Sequence, residues 1–76
     1  MKQIIENLYE MASTKAEQNL TNWRDSFEQM MKSAENGDYE GYDKLSDQCM
    51  DYERKYLESI KERETYLRLL LRLGEF

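Results

Sequence analysis

Apolar residues recur at three- and four-residue steps along two stretches of this chain, roughly 2 to 35 and 39 to 73. Asn36-Gly37-Asp38 is the one strong break between them. Steps of that size line one face of an α-helix. In the first stretch the stripe runs Ile5, Leu8, Ala12, Ala16, Leu20, Trp23, Phe27, Met30 or Met31, and Ala34. From Ile5 to Phe27 the spacing averages about 3.7 residues, nearer a hendecad than a heptad, which predicts a straight or slightly right-handed seam. Ala12 and Ala16 leave room for a large residue opposite. Thr14, three before Glu17, could cap a new helix, but the stripe runs through it and predicts continuity.

The second stretch presents Tyr42, Leu45, Cys49, Tyr52, Tyr56, Ile60, Arg63, Leu67 and Leu70 or Leu71. Asp38 is a good N-cap, and Glu40 and Asp43 suit the positive end of the helix dipole. Arg68 and Arg72 suit the other end, and Gly74 stands where a left-handed residue would stop the helix. Four pairs, Glu28 to Lys32, Glu40 to Lys44, Asp51 to Lys55 and Glu64 to Arg68, have the favourable i, i+4 order.

A three-residue turn between helices makes them antiparallel neighbours. The expected architecture is all-α: a single helical-hairpin domain over 1–76, with helix 1 at about 2–35, the turn at 36–38 and helix 2 at about 39–73. Facing residue numbers should sum to about 74. Trp23 then falls near Cys49 and Tyr52, Phe27 between Leu45 and Cys49, and Ile5 near Leu70. At about 1.5 Å per residue the rod would be about 50 Å long.

A single core in a chain of 76 residues is marginal without a staple or a second subunit. One cysteine and no histidine exclude an internal disulfide and a Cys/His zinc site, so oligomerisation is the expected supplement. A free thiol fits a cytoplasmic setting. Glu6 and Glu10 interrupt the apolar residues near Met1, against a secretory h-region, and no apolar run reaches membrane-spanning length.

Tyr66-Leu67-Arg68-Leu69-Leu70-Leu71-Arg72-Leu73 carries more leucine than one neighbour can cover. Leu67 with Leu70 or Leu71 can face helix 1, while Tyr66, Leu69 and Leu73 form a second stripe. With Ile4 these are the candidate oligomer interface, joining hairpins into a four-helix bundle or an extended coiled-coil-like dimer. Arg63, Arg68 and Arg72 beside the leucines would suit a membrane surface, but Glu62, Glu64 and Glu75 dilute them.

Charge is uneven. The chain is net −5, yet residues 35–53 hold seven acids and one lysine, while residues 54–76 are net +2. Asp43, Asp47 and Asp51 repeat at four-residue steps, which is mildly unfavourable on an isolated helix. A soluble acidic face is the plain explanation. The functional one is an acidic row, Asp38, Tyr39, Glu40, Tyr42, Asp43, Asp47 and Asp51, offered to a basic partner protein with tyrosines as rigid contacts. Carboxylates at regular spacing can occupy a groove that grips phosphates, because that grip is largely sequence-independent. A dimerising two-helix hairpin resembles in outline the small RNA-binding bundles that regulate plasmid copy number. No motif carries the likeness, and the negative charge argues against direct nucleic-acid binding.

Residues 36–47 nearly match a calcium loop, with oxygen ligands at loop positions 1, 3 and 5, Gly41 at 6 and Asp47 at 12. Asn36 at position 1 and Asp47 in place of a bidentate Glu depart from it, and no metal or cofactor is expected. With no histidine, no Gly-rich phosphate loop and Cys49 on an apolar face, catalysis is not expected either. The expected function is non-enzymatic protein binding: a small acidic regulator or inhibitor of a basic, nucleic-acid-handling protein, such as a phage- or mobile-element-encoded anti-CRISPR-like protein. The alternative is a structural or adaptor hairpin that meets its partner through the leucine-rich end.

Overall fold

The computed structural model describes residues 1–74 and holds two antiparallel helices, α1 at Lys2–Glu35 and α2 at Tyr39–Arg72. The hairpin is a rod with Cα extents of 54 × 15 × 13 Å. Helix α1 passes Thr14 unbroken; the Thr14 hydroxyl donates to the Glu10 carbonyl at 3.1 Å and caps nothing.

The turn forms for local reasons. Gly37 takes φ 73°, its N–H donates to Ala34 O at 3.2 Å, and the Asp38 N–H donates to Ser33 O at 2.9 Å. Those two bonds satisfy carbonyls that the end of α1 would otherwise leave open, the pattern of a Schellman C-cap. Asp38 then starts α2 by accepting from the Gly41 N–H at 3.0 Å. Gly74, also at φ 73°, ends α2 after Leu73.

The seam between the helices differs from the apolar stripe. Every buried residue among those described lies on a strict alternation of four- and three-residue steps. On α1 the sequence is Ile5, Tyr9, Ala12, Ala16, Asn19, Trp23, Ser26, Met30, Ser33; on α2 it is Tyr42, Leu45, Cys49, Tyr52, Tyr56, Ser59, Arg63, Tyr66, Leu70. That is the heptad period of a left-handed coiled coil, not the expected hendecad-like seam. Leu8, Leu20 and Phe27 each sit one place away from the seam and flank it, and Phe27 is 49% exposed. On α2, Ser59 and Tyr66 take the seam places expected for Ile60 and Leu67.

The register is shifted as well. Asn19 Nδ2 donates to Ser59 Oγ at 3.1 Å, and the Trp23 and Tyr56 rings lie 5.9 Å apart. Facing numbers therefore sum to 78 or 79 where about 74 was expected. Side chains lean toward their own helix N-terminus by about one position each, and in an antiparallel pair the two leans add, which accounts for about half of the shift. Extending the register from these contacts sets Ala12 opposite Tyr66, Ala16 opposite Arg63 and Ser26 opposite Tyr52. Small residues on α1 thus receive large ones from α2, and this is why Ser26, not Phe27, is buried.

Candidate protein interface at the turn

The start of α2 carries most of the expected acidic row, but the structure gives its members different duties. Asp38 is occupied as the N-cap of α2. Tyr39 is 75% exposed and Glu40 is an exposed first-turn acid. Tyr42 is half-buried at a seam position.

Asp51 is tied down. Arg54 Nη2 stands 2.6 Å from its Oδ1 and Lys55 Nζ 3.0 Å from its Oδ2. Hydrogen bonds from Arg54 first and then Lys55 hold the Asp51 carboxyl below its ordinary pKa, and the same contact raises that of Arg54. Arg54 also reaches Glu58 at 3.4 Å. These groups are exposed, so the network adds little stability, but it withdraws Asp51 from any row offered to a partner. Asp43 and Asp47 remain. Both are exposed, one helical turn apart, with no cation in salt-bridge range among the described residues. Of the four expected i, i+4 pairs, Asp51–Lys55 and Glu64–Arg68 (3.8 Å) form, whereas Glu28–Lys32 and Glu40–Lys44 do not close. The unpaired carboxylates of Asp43, Asp47 and Glu40 and the Tyr39 ring are therefore what remains of the candidate site at the turn.

A calcium loop is not adopted, because residues from Tyr39 onward are helical where such a loop would wrap the ion. No cluster of three or more potential metal ligands occurs among the described residues. Cys49 is buried, as expected of a small core residue.

At the open end the expected oligomer residues divide. Tyr66 occupies a half-buried seam position against α1, while Leu73, which continues the same period beyond Leu70, is 47% exposed at the open end. Ile4 and Leu69 do point away from the seam and are exposed. Leu70 is completely buried, which settles the choice between Leu70 and Leu71. The apolar stripe had concealed a further group: Met50 and Leu57 are exposed along one flank of α2, lining a shallow groove with Ile60. A second groove on α1 is lined by Leu20, Trp23 and Phe27. On α2 the signal in the sequence is a second progression, Met50, Leu57, Ile60, Leu67, Leu71, in steps of seven, three, seven and four residues beside the first.

No helix among the described residues is long and apolar enough to cross a membrane. No family model matches the chain, and no significant match is found among curated proteins or solved structures.

Proposed function

We propose that this hairpin is a non-enzymatic protein-binding module that acts as a small acidic regulator or inhibitor of a basic, nucleic-acid-handling protein in the cytoplasm. The observation that carries the proposal is the pair Asp43 and Asp47, exposed and unpaired beside a 75% exposed Tyr39 in a segment of net −6. Unpaired carboxylates in high dielectric keep their hydration and their reach, so a lysine- or arginine-lined groove can be met without first breaking internal ion pairs. Their long-range field also speeds encounter with a positive surface. A phage- or mobile-element-encoded inhibitor of the anti-CRISPR kind is the class of protein this chemistry serves. Cys49 is core, and the interaction needs neither metal nor cofactor.

The test is charge reversal: Asp43→Lys with Asp47→Lys, compared with the native chain in capture from cytoplasmic extract at low and high salt. Partners held by the turn are lost from the variant at low salt and from the native chain as salt rises, since exposed ion pairs are screened within about 10 Å at 0.1 M. Partners retained by both would overturn the assignment.

A second function is favoured by the exposed Ile4, Leu69, Leu71 and Leu73: an adaptor that meets its partner through the open end. Such capture resists salt and is abolished by Leu69→Lys. In either case the hairpin works as a homo-oligomer, because two helices leave apolar surface uncovered.

A further inference from the structure

The two broad faces of the hairpin are not equivalent. The Trp23 and Tyr56 rings meet on one side of the seam, and Asn19 and Ser59 bond on the other. Leu20 and Phe27 lie a turn before and after Trp23, outside the seam, and Ile60 lies a turn after Tyr56, with Leu67 a heptad further along. Met50 and Leu57 are the next positions outward on the same flank of α2. Because Trp23 and Tyr56 share a side, these flanks share it too, and together they form one apolar strip. The opposite face carries Lys15, Asn22 and Gln29 on α1 and Gln48, Lys55 and Glu62 on α2, all exposed.

Resting on the reading that the hairpin self-associates, we infer that the strip of Leu20, Phe27, Met50, Leu57, Ile60 and Leu67 is covered by the same strip of a second copy, with the two turns at opposite ends.

Area supports a second copy as the occupant. The chain exposes 5849 Å², whereas a compact monomer of its 9.2 kDa mass exposes roughly 4,900 Å², an excess of roughly 900 Å². Counting Leu71, 50% exposed one turn beyond Leu67 on the same flank, the strip runs about 32 Å from Met50 and, across two packed helices, is about 20 Å wide, or roughly 600 Å² per copy. A stable specific interface buries about 800 Å² per partner, with a lower limit near 600 Å². The surplus surface and the strip are thus both of the size that one identical neighbour removes.

Charge sets the orientation. Turns at the same end would place two net −6 segments side by side, setting Asp43 and Asp47 near Glu28 and Glu35 of the second copy. Turns at opposite ends instead lay each acidic segment beside the net +2 segment, 54–76, that holds Arg68 and Arg72. Arg24 on α1 and Glu53 and Glu64 on α2 interrupt the strip; Glu64 has Arg68 3.8 Å away to offset it. The dimer would carry one acidic turn at each end.

Sedimentation equilibrium of the full chain, from low micromolar to near-millimolar concentration, tests the inference. The native chain gives twice the monomer mass. Leu57→Lys, at a position already 56% exposed and clear of the seam, keeps the helical circular dichroism and weakens association at least about a hundredfold, because one substitution removes two buried leucines from a symmetric contact. Leu69→Lys, on the other face, leaves the dimer intact. A native chain that stays monomeric overturns self-association as a whole. A dimer that survives Leu57→Lys and is lost in Leu69→Lys overturns this face alone. For orientation, Tyr39→Cys is oxidised beside the native chain as control for Cys49: no disulfide-linked dimer forms when the turns lie at opposite ends, and rapid linkage refutes that arrangement.

Discussion

Replacing Leu70 by alanine, and separately Leu71 by alanine, tests the seam with two adjacent residues of identical chemistry that differ only in helical phase. Leu70 is 0% exposed and Leu71 50%. Truncating an enclosed leucine removes its transfer free energy and leaves a cavity, costing about 2–5 kcal/mol. In a two-helix rod the surroundings can partly collapse, so the lower part of that range applies, about 2–3 kcal/mol. Leu71 already holds half of its surface in water, and truncation there costs under about 1 kcal/mol. For a domain of this size each kcal/mol shifts the melting temperature by roughly 4–8 °C. Leu70→Ala should therefore melt roughly 10–20 °C below the native chain and Leu71→Ala within a few degrees of it. The assay is thermal unfolding followed by circular dichroism at low micromolar concentration, where association contributes least. Equal losses from the two substitutions, or a larger loss from Leu71→Ala, would refute the heptad assignment.

Four further outcomes follow from local geometry. Asn19→Ala should cost about 0.5–1.5 kcal/mol in urea unfolding, the worth of one neutral hydrogen bond; Ser59 keeps its bond to the Lys55 carbonyl at 2.9 Å, so no buried orphan adds to the cost, and a double-mutant cycle with Ser59→Ala should return a coupling of the same size. Gly37→Ala should cost about 1–2 kcal/mol through the left-handed backbone alone, since a Cβ there meets nothing within 4 Å, and Asp38→Ala about 1 kcal/mol through loss of the cap. The Asp51 carboxyl, followed by carbon NMR, should titrate below its ordinary pKa and move upward in Arg54→Ala. Because the folded value is the lower one, its small stabilisation is present above the unfolded pKa and is lost as pH falls through the folded one.

The acidic turn was legible as composition and only partly as a site. Seven carboxylates between residues 35 and 53 are plain in the sequence, but which of them are free is decided by side-chain reach. Arg54, three residues beyond Asp51, closes on it together with Lys55. Lys44, at the same i, i+4 distance from Glu40 as Lys55 is from Asp51, does not close. Spacing offers both pairs; rotamers and competing partners choose.

The sequence alone determined the elements and their ends: two long helices, the turn at Asn36-Gly37-Asp38, the Asp38 cap and the stop at Gly74. These are local effects, set by backbone preferences and by hydrogen bonds spanning at most five residues, so they can be read without knowing what packs where. Tertiary structure decided which stripe became the seam. Asn19 and Ser26 took the places that hydrophobicity assigns to Leu20 and Phe27, because Asn19 bonds Ser59 across the seam and Ser26 leaves room for Tyr52, just as Ala12 and Ala16 do for Tyr66 and Arg63. A helix with a single neighbour has a narrow seam, and within it complementary size outweighs the hydrophobicity of any one residue. The displaced apolar residues then became the exposed strip.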